Sequence, residues 1–348
     1  MRVLIVKLSA LGDVLRTTSL LRPLVGRYPG ARVSWLTSRA ALPLLEGNPW
    51  IERAAAFGTA GFRPGFDLVL SLEEDASAAR LAERSCAGEL VGVLSRAGGL
   101  TYTPSSAPYY DLSLLHRDPD GGHAAADRLK ASNRLTYAEL WLKVLGLRKP
   151  RRPGALRPVL ALAEDDRAAA RAVSSGVGFS GGPAPIGLNP GAGRRWPAKR
   201  LSVESAVRLA AALHRRFRRP VLLFGGADEA ARNRAIAAAA RRRGALVLDP
   251  GTGHPLRSFA GLVDLCEAVV TTDTLTLHVA TALGKKTFAL AGPTSAAELD
   301  VFGRGAVLTP PGGCSCFYRP RCLRARSCLD RFPAERICRA MDAWVEVR

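Results

Sequence analysis

The feature that most constrains this chain is an alternation, repeated through both halves, of short β-branched apolar runs with amphipathic stretches of helical period. Near-continuous apolar runs of this length suit strands buried on both faces, and a parallel sheet needs crossover helices to cover it. In the first half the predicted strands are residues 3–8, 32–36, 54–57, 68–72 and 90–93. Helices fit between several of them, beginning with 14–28, and a longer helix over 137–147 closes the half with Leu140, Trp141, Val144 and Leu145 on its apolar stripe. Pro150, Pro153, Gly154 and Pro158, with arginines between them, read as a linker.

The pattern restarts at 186–189, after the glycine- and proline-rich residues 176–185. Helix 203–217, strand 221–224, helix 229–243, strand 246–248, helix 256–267, strand 268–272, a helix opening at Thr274 and strand 286–291 follow in order. A last helix, 333–347, carries Ile337, Met341, Trp344 and Val345 at helical spacing. The expectation is an α/β protein of two facing Rossmann-like doubly wound parallel-sheet domains, 1–160 and 161–332, with a C-terminal helix over 333–348. Ligands are expected in a cleft between the two.

At 348 residues the chain has room for two such cores. No apolar run approaches the roughly 20 residues of a membrane helix. The start, MRVLIVKLSALGD, is interrupted by Lys7 after four apolar residues and reads as a first strand, not a signal peptide. A cytoplasmic protein is expected. Its net charge is +20, and the excess is uneven. Residues 1–150 carry 19 basic and 14 acidic side chains; residues 151–348 carry 31 and 16. Nucleic acid, an anionic membrane surface or a phosphate-bearing substrate would each suit that excess. GC-rich coding also inflates arginine, and no zinc-finger spacing, RNP signature or run of stacking aromatics accompanies the charge, so nucleic acid is not an expected partner.

The second half concentrates its chemistry in residues 271–294, TTDTLTLHVATALGKKTFALAGPT. A strand delivers Asp273, and a helix opens at once with Thr274, Thr276 and His278. The free N–H groups and positive dipole end of a helix N-terminus make an anion site at such a point. Capping alone would explain Asp273 and Thr274, but not His278 one turn further along the same face.

Three other loops stand at predicted strand ends. KLSALGDVLRTT offers Lys7, Ser9, Gly12 and Asp13, with Asp13 divided between a first-turn acid and a chemical role. LNPGAGRRWPAKRL combines a pliant backbone, Asn189 to Gly193, with Arg194, Arg195, Lys199 and Arg200, the mixture a phosphate requires. LLFGGADEAARN places Asp228 and Glu229 where an acid can take ribose hydroxyls or cap a helix. There is no G-x-G-x-x-G after the first strand and no G-x-x-x-x-G-K-[ST], which argues against a standard dinucleotide fold and a P-loop NTPase. No D-x-D pair stands beside the second-half loops, so Arg and Lys are expected to neutralise phosphate without a metal.

In order and spacing, K-x-S-x-L-G-D, N-P-G-A with a basic residue before W-P, G-G-x-x-E, and D-T-x-x-x-H followed by G-P-T resemble glycosyltransferase family 9, the heptosyltransferases of lipopolysaccharide assembly, over essentially the whole chain. The resemblance implies a GT-B architecture, an ADP-heptose-type nucleotide-sugar donor in the C-terminal domain, a lipid-linked glycan acceptor in the N-terminal one, and inversion without a catalytic metal or other cofactor. It implies Asp13 as general base and Lys7, Ser9 and Gly12 in the acceptor-side loop. Arg194 then stands in the place of a diphosphate-binding lysine, joined by Lys199. Asp273, Thr274, Thr276 and His278 hold donor sugar and phosphates, and Glu229 occupies the ribose position. Leu275 stands where many relatives have glycine. The basic surface suggests peripheral association with the anionic inner face of the inner membrane. Two alternatives stay open: an epimerase-type nucleotide-sugar enzyme of the same architecture, and a non-catalytic anion-binding protein.

Four cysteines, Cys314, Cys316, Cys322 and Cys328, lie within fifteen residues as C-x-C-x5-C-x5-C. Zinc sites usually contain C-x2-C pairs, and a reducing compartment disfavours disulfides, so the spacing favours reduced thiols over a metal site.

Overall fold

The computed structural model describes all residues except 60–61, 114, 116–121, 153, 194–195, 315, 318, 320, 323 and 347–348. It divides into two compact units, Met1–Ala161 and Leu162–Arg348.

The first unit runs β1 (Arg2–Val6), α1 (Leu11–Thr17), α2 (Leu21–Arg27), β2 (Arg32–Thr37), β3 (Arg53–Ala56), β4 (Phe66–Ser71), α3 (Ala76–Ser85), β5 (Cys86–Arg96), β6 (Gly99–Tyr102), α4 (Ala107–Tyr110), α5 (Gly122–Ser132) and α6 (Tyr137–Val144). Its sheet has the order β3-β2-β1-β4-β5-β6. All neighbours are parallel except β6, which folds back antiparallel on β5. Val3, Leu4, Ile5 and Val6 are fully buried, as a central strand covered on both faces requires.

The helix expected over 14–28 is two helices joined by a 3₁₀ turn at Thr18–Leu20. Pro23 cannot donate a helical hydrogen bond, and the Thr17 and Thr18 hydroxyls bond back to the carbonyls of Asp13 and Leu15. The helix begun at Tyr137 is closed at its start by a capping box: Thr136 accepts from the N–H of Glu139, and Glu139 accepts from that of Thr136.

The second unit runs α7 (Glu164–Gly176), β7 (Ile186–Asn189), α8 (Val203–Phe217), β8 (Val221–Leu223), α9 (Ala230–Arg241), β9 (Val247–Leu248), α10 (Leu256–Asp264), β10 (Ala268–Thr272), α11 (Leu275–Ala282), β11 (Lys286–Leu290), β12 (Gly305–Leu308) and α12 (Ala334–Met341). Its sheet is wholly parallel in the order β12-β11-β10-β7-β8-β9. Helix α8 buries Ala206, Val207, Ala210, Leu213 and Phe217 against the sheet, and Ile337, Met341 and Val345 of the C-terminal segment join the same core.

Two elements of this unit have no counterpart in the sequence pattern. Helix α7 opens with three acids and is mostly polar; it is held by Arg257, whose guanidinium bonds both oxygens of Asp166. A Cβ at Gly261 would sit 2.6 Å from the Asp166 carbonyl, so α10 packs on α7 through a glycine. Strand β12 is a four-residue, half-buried edge.

Read along the chain, both sheets have the 3-2-1-4-5-6 order of doubly wound folds. In such a sheet the connections leave in opposite directions at one point, between β1 and β4 in the first unit and between β7 and β10 in the second. A crevice opens there, beyond the carboxyl ends of the strands.

Candidate functional site

Three of the four loops singled out in the sequence fall at these switch points, and the fourth, after β8, reaches the β7 loop beside one of them through Glu229. In the first unit the chain leaves β1 through Lys7, Leu8 and Ser9 before entering α1, while β4 delivers Glu73 to the same place. Glu73 is buried. One of its oxygens accepts the N–H groups of Leu8 at 2.8 Å and Ser9 at 3.0 Å, and the other accepts the Ser9 hydroxyl at 3.1 Å. The Lys7 ammonium lies 3.2 Å from the same carboxylate and donates to the Leu72 carbonyl. Lys7 and Ser9 thus build the loop around an acid that the sequence reading passed over. The run Glu73, Glu74, Asp75 directly after a predicted strand was the available signal.

Asp13 lies in the first turn of α1 with its carboxylate 35% exposed, and Gly12 is buried beside it. Arg16, one turn on, meets Asp13 at 2.8 Å and stacks 4.0 Å over the ring of Tyr137. The Tyr137 hydroxyl shares a 2.6 Å hydrogen bond with Thr17. Burial pushes the Tyr137 phenol up to about 12, so it stays neutral and serves as a platform for the guanidinium. Arg16 therefore has its plane and reach fixed, which fixes Asp13 in turn.

The second unit builds a denser cluster. The Asp273 carboxylate meets the Lys199 ammonium at 2.5 Å, accepts the Thr294 hydroxyl at 2.7 Å, and lies 3.9 Å from His278 Nε2. Lys199 comes from the short 3₁₀ turn Pro197–Lys199 after β7, Thr294 from the turn after β11, and His278 from α11. Burial by itself would push the Asp273 carboxyl up. The charges of Lys199 and then His278, with the hydrogen bonds of Lys199 and Thr294, outweigh that and hold it well below the usual carboxylate range.

Thr274 is the residue before α11, but its hydroxyl does not cap the helix. It meets Thr271 Oγ1 at 3.0 Å and accepts from Asn189 Nδ2 at 3.3 Å. Asn189 also donates to Thr276 at 2.6 Å and accepts the N–H of Gly191. These hydroxyls tie the β7 and β10 loops together. Leu275 is half-buried at the first position of the helix.

Glu229 is 4% exposed and also holds loops together. Its Oε1 accepts the N–H groups of Ala192 at 2.8 Å and Gly193 at 3.2 Å, and its Oε2 that of Gly226 at 2.9 Å. A Cβ at Gly191 would lie 1.7 Å from Oε1, so only glycine admits this approach. Arg200 donates to the Gly193 carbonyl, and Arg232 to those of Pro190 and Leu201. Arg194 and Arg195 lie outside the described residues.

A helix N-terminus, a buried ion pair and a glycine loop backed by arginines, all at one strand-end crevice, describe a site for a phosphorylated ligand. The family model of glycosyltransferase family 9 (heptosyltransferase) matches residues 135–308, which is half of the chain and holds all three of the second unit's loops. The chain belongs to glycosyltransferase family 9. It is thus a glycosyltransferase of the heptosyltransferase family.

Solved structures agree with that placing. A family 9 glycosyltransferase from Veillonella parvula superposes with a TM-score of 0.73 at 18% identity, over 99% of this chain and 96% of its own. An ADP-heptose lipopolysaccharide heptosyltransferase II from E. coli gives 0.67 at 21%, over 99% and 98%. The E. coli heptosyltransferase WaaC with ADP gives 0.58 at 20%, over 99% and 97%. At these identities the likeness is one of fold, the GT-B type of family 9. No curated protein sequence matches the chain. The Asp13 loop lies outside the stretch that the family model matches, so its assignment rests on the K-x-S-x-L-G-D motif and on the local geometry.

Proposed function

We propose that this enzyme transfers a heptose from ADP-heptose to the core of lipopolysaccharide or a related lipid-linked glycan, with inversion at the anomeric carbon. The observation that carries the reading is the Lys199–Asp273–Thr294–His278 cluster at the mouth of α11, at the switch point of the second sheet. The E. coli WaaC structure in the comparison holds ADP, which supports a nucleotide diphosphate as the leaving group.

Asp13 accepts the proton of an acceptor hydroxyl while that oxygen attacks the anomeric carbon from the face opposite the nucleotide. An aspartate is ionised at neutral pH and can take that proton, and Arg16 holds it in place. As the glycosidic bond breaks, negative charge gathers on the departing diphosphate. Lys199, the N–H groups at the start of α11 and Arg194 are the groups assigned to stabilise it, and they suffice without a catalytic metal. Asp273 sets the position of Lys199. In this reading Glu229 takes a ribose hydroxyl through the lone pair its three N–H partners leave, while Thr276 fixes the loop.

Arg215, Arg216, Arg218 and Arg339, with Glu335 and Asp342 among them and Asp342 paired to Arg216 at 2.9 Å, line a net-positive surface depression between α8 and α12 of roughly 520 Å³. No helix among the described residues is long and apolar enough to cross a membrane. A basic face of this kind supports peripheral binding to anionic lipid on the inner leaflet, where the acceptor would be carried.

The test is ADP release from ADP-heptose in the presence of a heptose-deficient core acceptor. For Asp13→Asn the expected result is a fall in kcat of about 10²–10⁴-fold with unchanged ADP affinity. Near-normal turnover by the folded variant rejects Asp13 as the base. Absence of ADP-heptose turnover in the unaltered enzyme, with turnover of another nucleotide sugar, rejects the donor.

A further inference from the structure

The cysteine-rich segment between β12 and α12 contains, as regular structure among its described residues, only the 3₁₀ turn Leu329–Arg331. Long stretches of this kind inside a domain need something to hold them. Here the fold gathers what the spacing left apart. The sulfurs of Cys314, Cys316 and Cys328 all lie within 4.8 Å of one another. Cys322 Sγ is 3.8 Å from Cys316 Sγ and 3.5 Å from Cys328 Sγ. A divalent ion bound tetrahedrally by thiolates at about 2.3 Å has sulfur–sulfur edges of about 3.8 Å.

All four are free thiols; Cys316 and Cys328 are buried, and Cys314 and Cys322 half-buried, which leaves a way in. The separations are too short for a multinuclear iron–sulfur cluster, whose thiolates sit on different irons. Four thiolates on a divalent ion carry a charge of −2, and the same segment of sequence carries Arg319, Arg321, Arg324 and Arg326.

We propose that Cys314, Cys316, Cys322 and Cys328 bind a single zinc-type divalent ion, and that this ion fixes the segment that braces the donor-side loops. The brace is visible at two points directly after Cys328. Leu329 is fully buried against Gly292, where a Cβ would lie 3.0 Å from it; Gly292 leads through Pro293 to Thr294, the hydrogen-bond donor to Asp273. Asp330 accepts the N–H of Ser202 at 2.7 Å, three residues beyond Lys199. Metal binding stands on the sulfur geometry alone; the effect on nucleotide binding rests on the donor-site reading above.

The full chain, produced with zinc under reducing conditions, is analysed for metal and by cobalt(II) substitution. The expected result is about one zinc or iron ion per chain, with cobalt giving the intense visible bands of a tetrahedral thiolate site. Cys86→Ser keeps the ion, while Cys322→Ser together with Cys328→Ser loses it. If the double variant does not fold, zinc protection of four thiols from a thiol reagent in the unaltered chain supplies the same information. Chelation should lower Tm and weaken ADP binding several-fold, with zinc restoring both.

Substoichiometric metal without a tetrahedral cobalt spectrum overturns the proposal, as does a disulfide within the set in freshly prepared reduced protein. Stoichiometric metal whose removal leaves ADP affinity unchanged keeps the site and overturns the bracing role. Stoichiometric metal in a chain that does not bind ADP at all overturns the donor-site reading and not the metal site.

Discussion

Replacing Lys199 by methionine tests whether the ion pair at the donor site is structural as well as functional. The substitution keeps the side chain's length and removes its charge, leaving the Asp273 carboxylate with Thr294 and a distant His278. Uncoupling one member of a buried pair costs about 3–5 kcal/mol because the other charge is stranded. Lys199 and Asp273 keep 18% and 13% exposure and Thr294 still donates, so a loss of about 2–3 kcal/mol is expected. For a unit of this size that is a fall in Tm of about 4–12 °C.

Adding Asp273→Leu to Lys199→Met should restore most of the loss, since it removes the stranded charge. The interaction energy from the double-mutant cycle, measured by urea unfolding, should reach about 1.5 kcal/mol or more. The pH dependence has a definite sign. A carboxyl held below its unfolded value of about 3.9 adds stability at higher pH and loses it as pH falls through that value and lower. In Lys199→Met burial acts with less opposition and raises the carboxyl, so the gap between the two proteins should narrow from pH 7 towards pH 4. An interaction energy below about 0.5 kcal/mol, or a gap constant with pH, would refute the reasoning.

Gly191→Ala should displace Glu229 from Ala192 and Gly193, since the new methyl would sit 1.7 Å from Oε1. The expected cost is about 2–4 kcal/mol of stability with weaker ADP binding by calorimetry, and a variant within about 0.5 kcal/mol of the parent would show that the loop can yield. Arg215→Glu combined with Arg339→Glu should weaken binding to vesicles rich in anionic lipid by at least about tenfold without changing turnover of a soluble acceptor analogue. Unchanged vesicle binding removes the basic face as the membrane contact.

Much of the fold is legible along the chain because strand and helix periods are local properties. Strand β10 and helix α8 begin and end where the apolar pattern places them, and the β7 strand starts where β-branched residues resume after the glycine-rich stretch. Helix α7 escaped because its stabilisation comes from contacts far off in sequence: Arg257 on Asp166 and Gly261 against its backbone. The break after Thr17 was readable at Pro23, but it also depends on hydroxyls that turn back on the helix. The motif residues that the sequence marked, where they are described, stand at the switch points or, for Glu229, on the neighbouring loop after β8. The partners that orient them, Glu73, Arg16, Tyr137, Asn189 and Thr294, come from other strands and helices and carry no local signature of that task.

The sequence by itself therefore determined the fold class, the order of the four strand-end loops and the family, since all three reside in local patterning and spacing. Tertiary structure alone decided which atoms those loops present to one another. It turned Glu229 inward on three backbone N–H groups, set Lys199 against Asp273, and drew four irregularly spaced sulfurs into contact. Distances of a few ångströms between residues tens of positions apart are fixed by sheet order and packing, and no one-dimensional pattern encodes them.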